Sequence, residues 1–343
     1  MYRKRTHKNV SKSIDRPLHN PQKIAVLTSG GDAPGMNACL RAIVRSAIFH
    51  KAEVMGIQNG YDGLIRGDGI ELNLRSVGNI IQRGGTFLRS SRSKNFRTKE
   101  GRRRAYENLK KWGVDSLITL GGDGTLTGAE IFSREFPIRV IGIPCTIDND
   151  LFGTDLAIGF DTAVNTAVEC IDKIRDTADS HGRVFVVEVM GRNTGHLALE
   201  TALAVGAEFV VVPEVPLKLK SLISKIQAGI DRGKAGSIII LAERDRPGEA
   251  IKLSESIRKS IKRDVRAAIL GHLQRGGSPS SIDRNLGSRL GAHAVELLLL
   301  KKKNRRMVGV ECGHLTDVGI SEVMGKRHSV DIAKLKLVDQ LSI

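Results

Sequence analysis

Three side chains able to accept a proton or a hydrogen bond, Thr146, Asp148 and Asp150, stand at alternate positions in GIPCTIDND, residues 142–150, directly after an apolar run. Upstream, LGGDGTLTG at residues 120–128 offers glycine backbone that phosphates can approach. Its carboxylate, Asp123, can hold Mg2+ directly or through water. Together the two runs predict phosphoryl transfer to a hydroxyl, because that chemistry needs in-line placement, charge neutralisation and a proton acceptor rather than elaborate covalent steps. Asp148 is the candidate base. A third run, TSGGDAPGMN at 28–37, puts Gly30 and Gly31 where free amides and a helix dipole would favour an anion. Each of these residues also has a structural use: a loop aspartate as a turn residue, a glycine pair as a tight connection, and Asp123 as the cap of the helix behind it.

Parallel sheets covered on both faces would place such loops together. From residue 23 the chain repeats strand, glycine turn and helix: KIAVLTS, then GGDAPGMN, then a segment with Leu40, Ile43, Val44 and Ala47 at helical spacing. Further strands are predicted at 53–58, 116–120, 139–143, 183–190, 209–214, 237–243 and 307–311, most of them separated by helical segments. Near-continuous Val, Ile and Leu strands alternating with helices predict parallel strands whose ligands gather beyond their carboxyl ends, where the three runs fall.

At 343 residues and 41% hydrophobic, the chain can bury a sizeable core, and its length suggests about two domains. Its longest apolar runs, VFVVEVM at 184–190 and IIILA at 238–242, are far shorter than the roughly 20 residues of a membrane span, so no membrane association is expected. Cys39, Cys145, Cys170 and Cys312 show no CxxC spacing, which suits a reducing compartment and a cytoplasmic location. The net charge of +17 invites a nucleic-acid reading, but aromatics are only 4% and the basic residues are scattered without a recognisable module. Arginines that serve phosphorylated small molecules account for the charge better, because a planar bidentate donor fits a phosphate. Residues 1–22 are basic and polar without apolar periodicity, as a flexible extension would be; a transit peptide is the alternative, although the segment lacks an amphipathic stripe.

Beyond these local readings, TSGGDAPGMN, RGGTF (83–87), GGDG, PCTIDND, EVMGR (188–192) and GHLQRGGSP (271–279) occur in the order and with the separations of the bacterial-type ATP-dependent 6-phosphofructokinases, which the chain resembles over roughly residues 23–320. GGDGT alone is shared with NAD kinases and lipid kinases; the last three motifs are more selective. The resemblance implies two Rossmann-like three-layer α/β domains with mostly parallel sheets. One, nucleotide-binding, would comprise 23–159 plus about 274–324; the other, sugar-phosphate-binding, about 160–273 plus 325–343. It implies ATP-dependent phosphorylation of fructose 6-phosphate at the 1-hydroxyl, the committing step of glycolysis, with Mg2+ and in a homotetramer.

By that resemblance Asp148 takes the hydroxyl proton, helped by Thr146 with Asp150 close by, and Arg192 stabilises charge on the transferring group. Met190, Gly191, Glu243, His272 and Arg275 contact the sugar phosphate, and Arg183 and Arg266 reach it from a neighbouring subunit. Gly31, Arg92, Asp123, Gly124, Thr125 and Gly128 form the nucleotide side, with Asp123 on the metal; Ser93 departs from the family, which commonly has an aromatic there. Pyrophosphate-dependent relatives tend to carry Asp at position 124 and Lys at 145. Gly124 therefore points to ATP, while Cys145 is neither their Lys nor the usual Gly. Arg41, Arg45, Arg175, Glu208, Arg232 and Lys234 match positions of an effector site for a nucleotide or phosphorylated metabolite, with departures at Leu74, Asn79 and Gly236. Pyrophosphate-linked transfer and a catalytically silent regulatory subunit or metabolite sensor are the two alternatives.

Overall fold

The computed structural model describes residues 22–244, 248–299 and 303–342, so all but Gln22 of the basic extension lies outside the described residues. Its strands are β1 (Lys23–Thr28), β2 (Glu53–Ile57), β3 (Gly69–Leu72), β4 (Ser116–Gly121), β5 (Arg139–Pro144), β6 (Val184–Val189), β7 (Phe209–Val211), β8 (Ser237–Ala242), β9 (Val265–Ile269), β10 (Arg306–Glu311) and β11 (His314–Gly319). One sheet has the order β11-β10-β5-β4-β1-β2-β3, the other β7-β8-β6-β9. All the pairings of the second sheet are parallel, and the first is parallel except where β3 and β11 add antiparallel edges. Every strand expected from an apolar run is present. The three that were not anticipated, β3, β9 and β11, each bury only one residue fully. Lying at sheet edges, they need no continuous apolar run and leave no such run to read.

Around the sheets are α1 (Met36–Phe49), α2 (Gly60–Arg66), α3 (Lys99–Lys111), α4 (Asp123–Glu135), α5 (Phe160–His181), α6 (His196–Ala204), α7 (Leu219–Asp231), α8 (Glu249–Arg258), α9 (Ser281–Leu299), α10 (Ile320–Val323) and α11 (Ile332–Leu341). Strand alternation sorts β1 into two cores: Ile24 and Val26 point to one side, Ala25 and Leu27 to the other. The first of these cores is continuous across the molecule. It joins Ile118, Ile141 and Val308 of the large sheet to Val187, Ile238 and Ile240 of the small one, with Leu40 and Ile43 of α1, Ile171 of α5 and Leu290 of α9 between them. The two sheets are thereby held at a fixed relation.

Two buried carboxylates hold helix starts in this interior. Asp283 of α9 accepts from the amides of Gly159 (2.7 Å) and Thr162 (2.8 Å), tying α9 to the first turn of α5. Glu188 of β6 accepts from the amides of Gly248 (2.8 Å) and Ala250 (2.9 Å) at the start of α8. Each satisfies amide donors that have no partner within their own helix, where the helix dipole also favours negative charge. Replacing Asp283 by Ala is expected to cost about 1.5–3 kcal/mol, the range for hydrogen bonds to a charged group. Urea unfolding at neutral pH should show the loss, and an unchanged midpoint would contradict this role for Asp283.

Candidate active site

Beyond β5 the chain makes a tight excursion. Cys145 donates its amide to Gly121 O (3.1 Å), Thr146 donates to Ile158 O (3.1 Å), and Asn149 braces the loop from inside. Asn149 takes a left-handed φ of 50°; its amide group donates to Asp155 O (3.1 Å) and accepts from Ala157 N (2.7 Å). From outside, His328 donates its amide to Asp150 O (3.0 Å), and the His328 carbonyl meets Nε2 of His196 at 3.0 Å. The result is that Asp148 is only 5% exposed. Its Oδ2 lies 3.4 Å from the Thr146 hydroxyl, whereas Oδ1 is buried without a hydrogen-bond partner in the chain. Burial, and then the neighbouring Asp150, push the Asp148 carboxyl up to about 6, against the opposing pull of Arg275, Arg192 and the Thr146 hydroxyl. A carboxylate ionised at neutral pH, with one oxygen unused and a pKa near the working range, is suited to take a proton.

The end of β6 supplies the facing wall. Met190 donates its amide to Oε1 of the fully buried Gln274 (2.8 Å), and Gln274 sits within the 3-10 turn Gly271–Arg275 that also carries His272 and Arg275. After Gly191 the backbone turns through left-handed Arg192 (φ 43°) and Asn193 (φ 69°), leaving Arg192 exposed. Arg275 donates to Asp32 O (3.1 Å) and covers Gly31, where an added Cβ would lie 2.6 Å from its guanidinium. Glu243, following β8, donates its amide to Val189 O (2.7 Å); burial raises its carboxyl, with a further push from Glu188. Asp148 feels the charges of Asp150, Arg192 and Arg275, while Glu243 feels Arg275 and His272. Thr146, Asp148, Asp150, Met190, Gly191, Arg192, Glu243, His272 and Arg275 thus converge from both sheets.

On the other side of Asp148, the loops after β1 and β4 lie side by side. The Thr125 hydroxyl donates to Ser29 O (3.0 Å), and Gly121 has no room for a Cβ, which would fall 2.4 Å from the same Ser29 carbonyl. Asp123 and Gly124 are exposed at the start of α4, and a Cβ on Gly124 would meet nothing within 4 Å. The residue capping α4 is Gly122, without a side-chain cap bond, so the capping role open to Asp123 is not realised. Among the described residues no three His, Cys, Asp or Glu side chains group to hold a metal. One exposed carboxylate beside Gly124, whose surroundings are open, nevertheless fits Mg2+, which commonly binds through one or two carboxylates plus substrate phosphates and water. Arg92 is exposed on the adjoining loop, which Gly30 and Ser91 anchor by an amide-to-carbonyl bond of 3.2 Å. The Ser93 hydroxyl bonds Asp62, and Phe96, three residues on, stacks on Tyr61 with centroids 3.9 Å apart. Gly128 lies beneath this pair: a Cβ there would be 3.2 Å from Tyr61, which gives the residue a packing reason of its own.

Arg183 and Arg266 are elsewhere. They sit at the amino ends of β6 and β9, both bonded to Asp264 (3.1 and 2.9 Å). A strand like β6, at about 3.3 Å per residue, separates Arg183 from Met190 by roughly 20 Å, beyond the reach of an arginine side chain. Of the expected effector residues, Arg41 is half-buried and Arg45 exposed on α1; Arg175 donates to Val205 O; Lys234 pairs with the buried Glu208 at 2.7 Å; and Arg232 is exposed after α7. Sequence reasoning did not single out Gln274, Asn149, Thr194 or His328. Their partners are distant in the chain or backbone atoms, and neither leaves a spacing signal.

A family model described as phosphofructokinase matches residues 23–298. The chain is 51% identical over 323 residues to the ATP-dependent 6-phosphofructokinase of Brevibacillus brevis, covering 94% of this chain and 100% of that protein. It is 52% identical over 324 residues to the protein of the same name in Staphylococcus carnosus, with the same coverage. Among solved structures, phosphofructokinase from Saccharomyces cerevisiae superposes with a TM-score of 0.84 at 34% identity, over 93% of this chain but 46% of the longer yeast chain. A pyrophosphate-dependent phosphofructokinase from Marinobacter aquaeolei gives a TM-score of 0.80 at 22% identity, covering 92% of this chain and 91% of that one, a likeness of fold alone.

The raised Asp148 carboxyl has a consequence for stability. Its ordinary value is 3.8 and its folded value about 6, so folding favours the protonated form. The stabilising contribution of that form is full below about pH 4 and is lost as pH rises through about 6, so the ionised group costs on the order of 2–3 kcal/mol at neutral pH. Asp148→Asn is therefore expected to be more stable than the parent at pH 7.5, by about 2 kcal/mol in urea unfolding, with the excess vanishing near pH 4. A variant less stable than the parent at both pH values would contradict the burial account.

Proposed function

The chain belongs to the phosphofructokinase family, and from that premise we propose that its site transfers the γ-phosphoryl group of ATP to the 1-hydroxyl of fructose 6-phosphate. The products are fructose 1,6-bisphosphate and ADP, and the reaction is a step of glycolysis. The observation that carries the residue assignment is the Asp148 carboxylate, buried with one unpartnered oxygen and within the influence of the Arg275 and Arg192 charges. As the sugar oxygen bonds to phosphorus and the bond to the β-phosphate breaks, Asp148 accepts the hydroxyl proton. Thr146 orients its carboxylate, and Asp150 keeps its proton affinity high. Arg192 stabilises the charge spreading over the transferring group. Asp123 would hold Mg2+, which when bound would supply charge neutralisation on the phosphate oxygens.

Met190, Gly191, Glu243, His272 and Arg275 bind the sugar phosphate in this reading. Gly31, Arg92, Asp123, Gly124, Thr125 and Gly128 bind the nucleotide. The open space at Gly124 supports ATP as donor, since a side chain there would project toward the α-phosphate. The relatives that are about half identical carry the ATP-dependent name, so the pyrophosphate-linked alternative is not favoured. The position of Arg183 and Arg266, a strand's length from Met190, supports their serving the sugar phosphate of a neighbouring subunit in a homotetramer. The allocation of β1–β5, β10 and β11 to one sheet and β6–β9 to the other supports a nucleotide-binding domain of 23–159 plus about 274–324 and a sugar-phosphate domain of about 160–273 plus 325–343. Arg41, Arg45, Arg175, Glu208, Arg232 and Lys234 are assigned to an effector phosphate, and the enzyme to the cytoplasm; no helix among the described residues is long and apolar enough to cross a membrane.

Purified protein is expected to turn over with MgATP and hardly at all with pyrophosphate, and Asp148→Asn should lower kcat about 10²–10⁴-fold while sugar-phosphate binding persists. Preferential use of pyrophosphate would overturn the donor, and near-parental turnover by Asp148→Asn would overturn the base. Arg183→Ala and Asp148→Asn chains, each weak alone, should recover activity when mixed oligomers form, because some sites then combine Asp148 of one chain with Arg183 of another. Mixed oligomers verified by tag capture, yet no more active than either variant, would refute a shared site.

A further inference from the structure

Asp148 follows a strand of one sheet and Arg192 a strand of the other, so the base and the charge-stabilising group are set by different parts of the fold. Between them lies Thr194, a buried threonine 3% exposed. Its amide donates to Gly191 O (3.0 Å), and its hydroxyl donates to the same carbonyl at 2.8 Å while standing 3.4 Å from the carbonyl of Asp148. The amide bond closes a four-residue turn whose two central residues, Arg192 and Asn193, both have positive φ. Glycine, asparagine and aspartate are the usual occupants of such turns, and an arginine there is strained. A strained conformation persists only where its surroundings over-determine it. Here Thr194 holds the turn twice, and the next residue, Gly195, is fixed by its amide to Glu214 Oε1 (2.9 Å). The turn is also closed tightly enough to exclude a side chain at Gly191, where a Cβ would fall 2.5 Å from Thr194 O.

We propose that Thr194 is a positioning residue for phosphoryl transfer: its hydroxyl fixes the left-handed turn that presents Arg192 and sets that turn against the backbone of Asp148. The inference rests on the roles of Asp148 and Arg192 proposed above. The hydroxyl has one proton and two carbonyls within reach, so it joins the arginine turn to the base loop through backbone atoms. Losing it frees Arg192 to relax toward ordinary backbone angles and away from Asp148.

Thr194→Val keeps the side-chain shape and removes the donor, and Thr194→Ser keeps the donor. With ATP and fructose 6-phosphate, the Val variant should lose on the order of 10–100-fold in kcat, the scale of a displacement of about 1 Å in a catalytic group, with little change in KM. The acid limb of its kcat–pH profile should move to higher pH as the Asp148 carboxyl loses the nearby charge of Arg192. The Ser variant should stay within about threefold of the parent on both measures, far inside the 10²-fold cost of misplacement. In an Arg192→Ala background, Thr194→Val should have no further effect on kcat, since the interaction it serves is gone. Parent turnover reports the activity itself, whereas the contrast between Val and Ser reports Thr194 alone. Equal rates for parent and Val, equal losses in Val and Ser, or an undiminished Thr194→Val effect in the Arg192→Ala background would each overturn the proposal. Should the Val variant unfold, Thr194→Ala carries the same comparison with Ser.

Discussion

An ionisable carboxylate kept from water must be stabilised by its surroundings, and Asp148 imposes that demand on the molecule around it. Each side of its loop is braced by a different element: Asn149 from within, Ile158 and Gly121 through the backbone, His328 from the segment ahead of α11, and Thr194 from the turn after β6. The opposing charges, Arg192 and Arg275, arrive from the second sheet and from the 3-10 turn that follows β9. Their attraction offsets part of the burial cost and leaves the group poised rather than neutralised. Stability is surrendered at the group proposed to accept the proton, as expected of functional sites.

That arrangement needs two sheets at a fixed relation. The continuous core between them, from Ile118 and Ile141 to Val187 and Ile240, provides it, and Asp283 adds a polar tie between α9 and α5. Because the strands are parallel, their carboxyl ends gather on one side, and the loops after β1, β4, β5, β6 and β8 meet there. The same geometry places Arg183 and Arg266 at the opposite ends of their strands, both bonded to Asp264 and away from Asp148.

Much of this was legible in the sequence because parallel strands are buried on both faces and therefore written as unbroken Val, Ile and Leu runs. TIDND and GGDGT could be read for chemistry, since phosphoryl transfer uses few residue types at short spacings, whereas the arginine of EVMGR was reached through the family resemblance. The edge strands β3, β9 and β11 lacked the apolar run that a central strand requires. Gln274 was hidden for a different reason: its bond to Met190 spans 84 residues, and nothing at position 274 distinguishes a buried glutamine from a surface one. Thr194 and Asn149 act on backbone atoms, so their partners carry no side-chain identity that a pattern could reveal. Gly128 was read for a ligand, yet it also fits beneath Tyr61 and Phe96, a constraint visible only once α4 is packed.

The central claim is that Asp148 is a buried carboxylate held near the protonation range in which it works. Isotope-edited infrared difference titration, parent minus Asp148→Asn, follows this one carboxyl in the intact protein without relying on turnover. A midpoint near about 6 is the result the burial and charge arrangement requires. A midpoint at the ordinary aspartate value of about 3.9 would mean that Asp148 is solvated, and would contradict the account at its base.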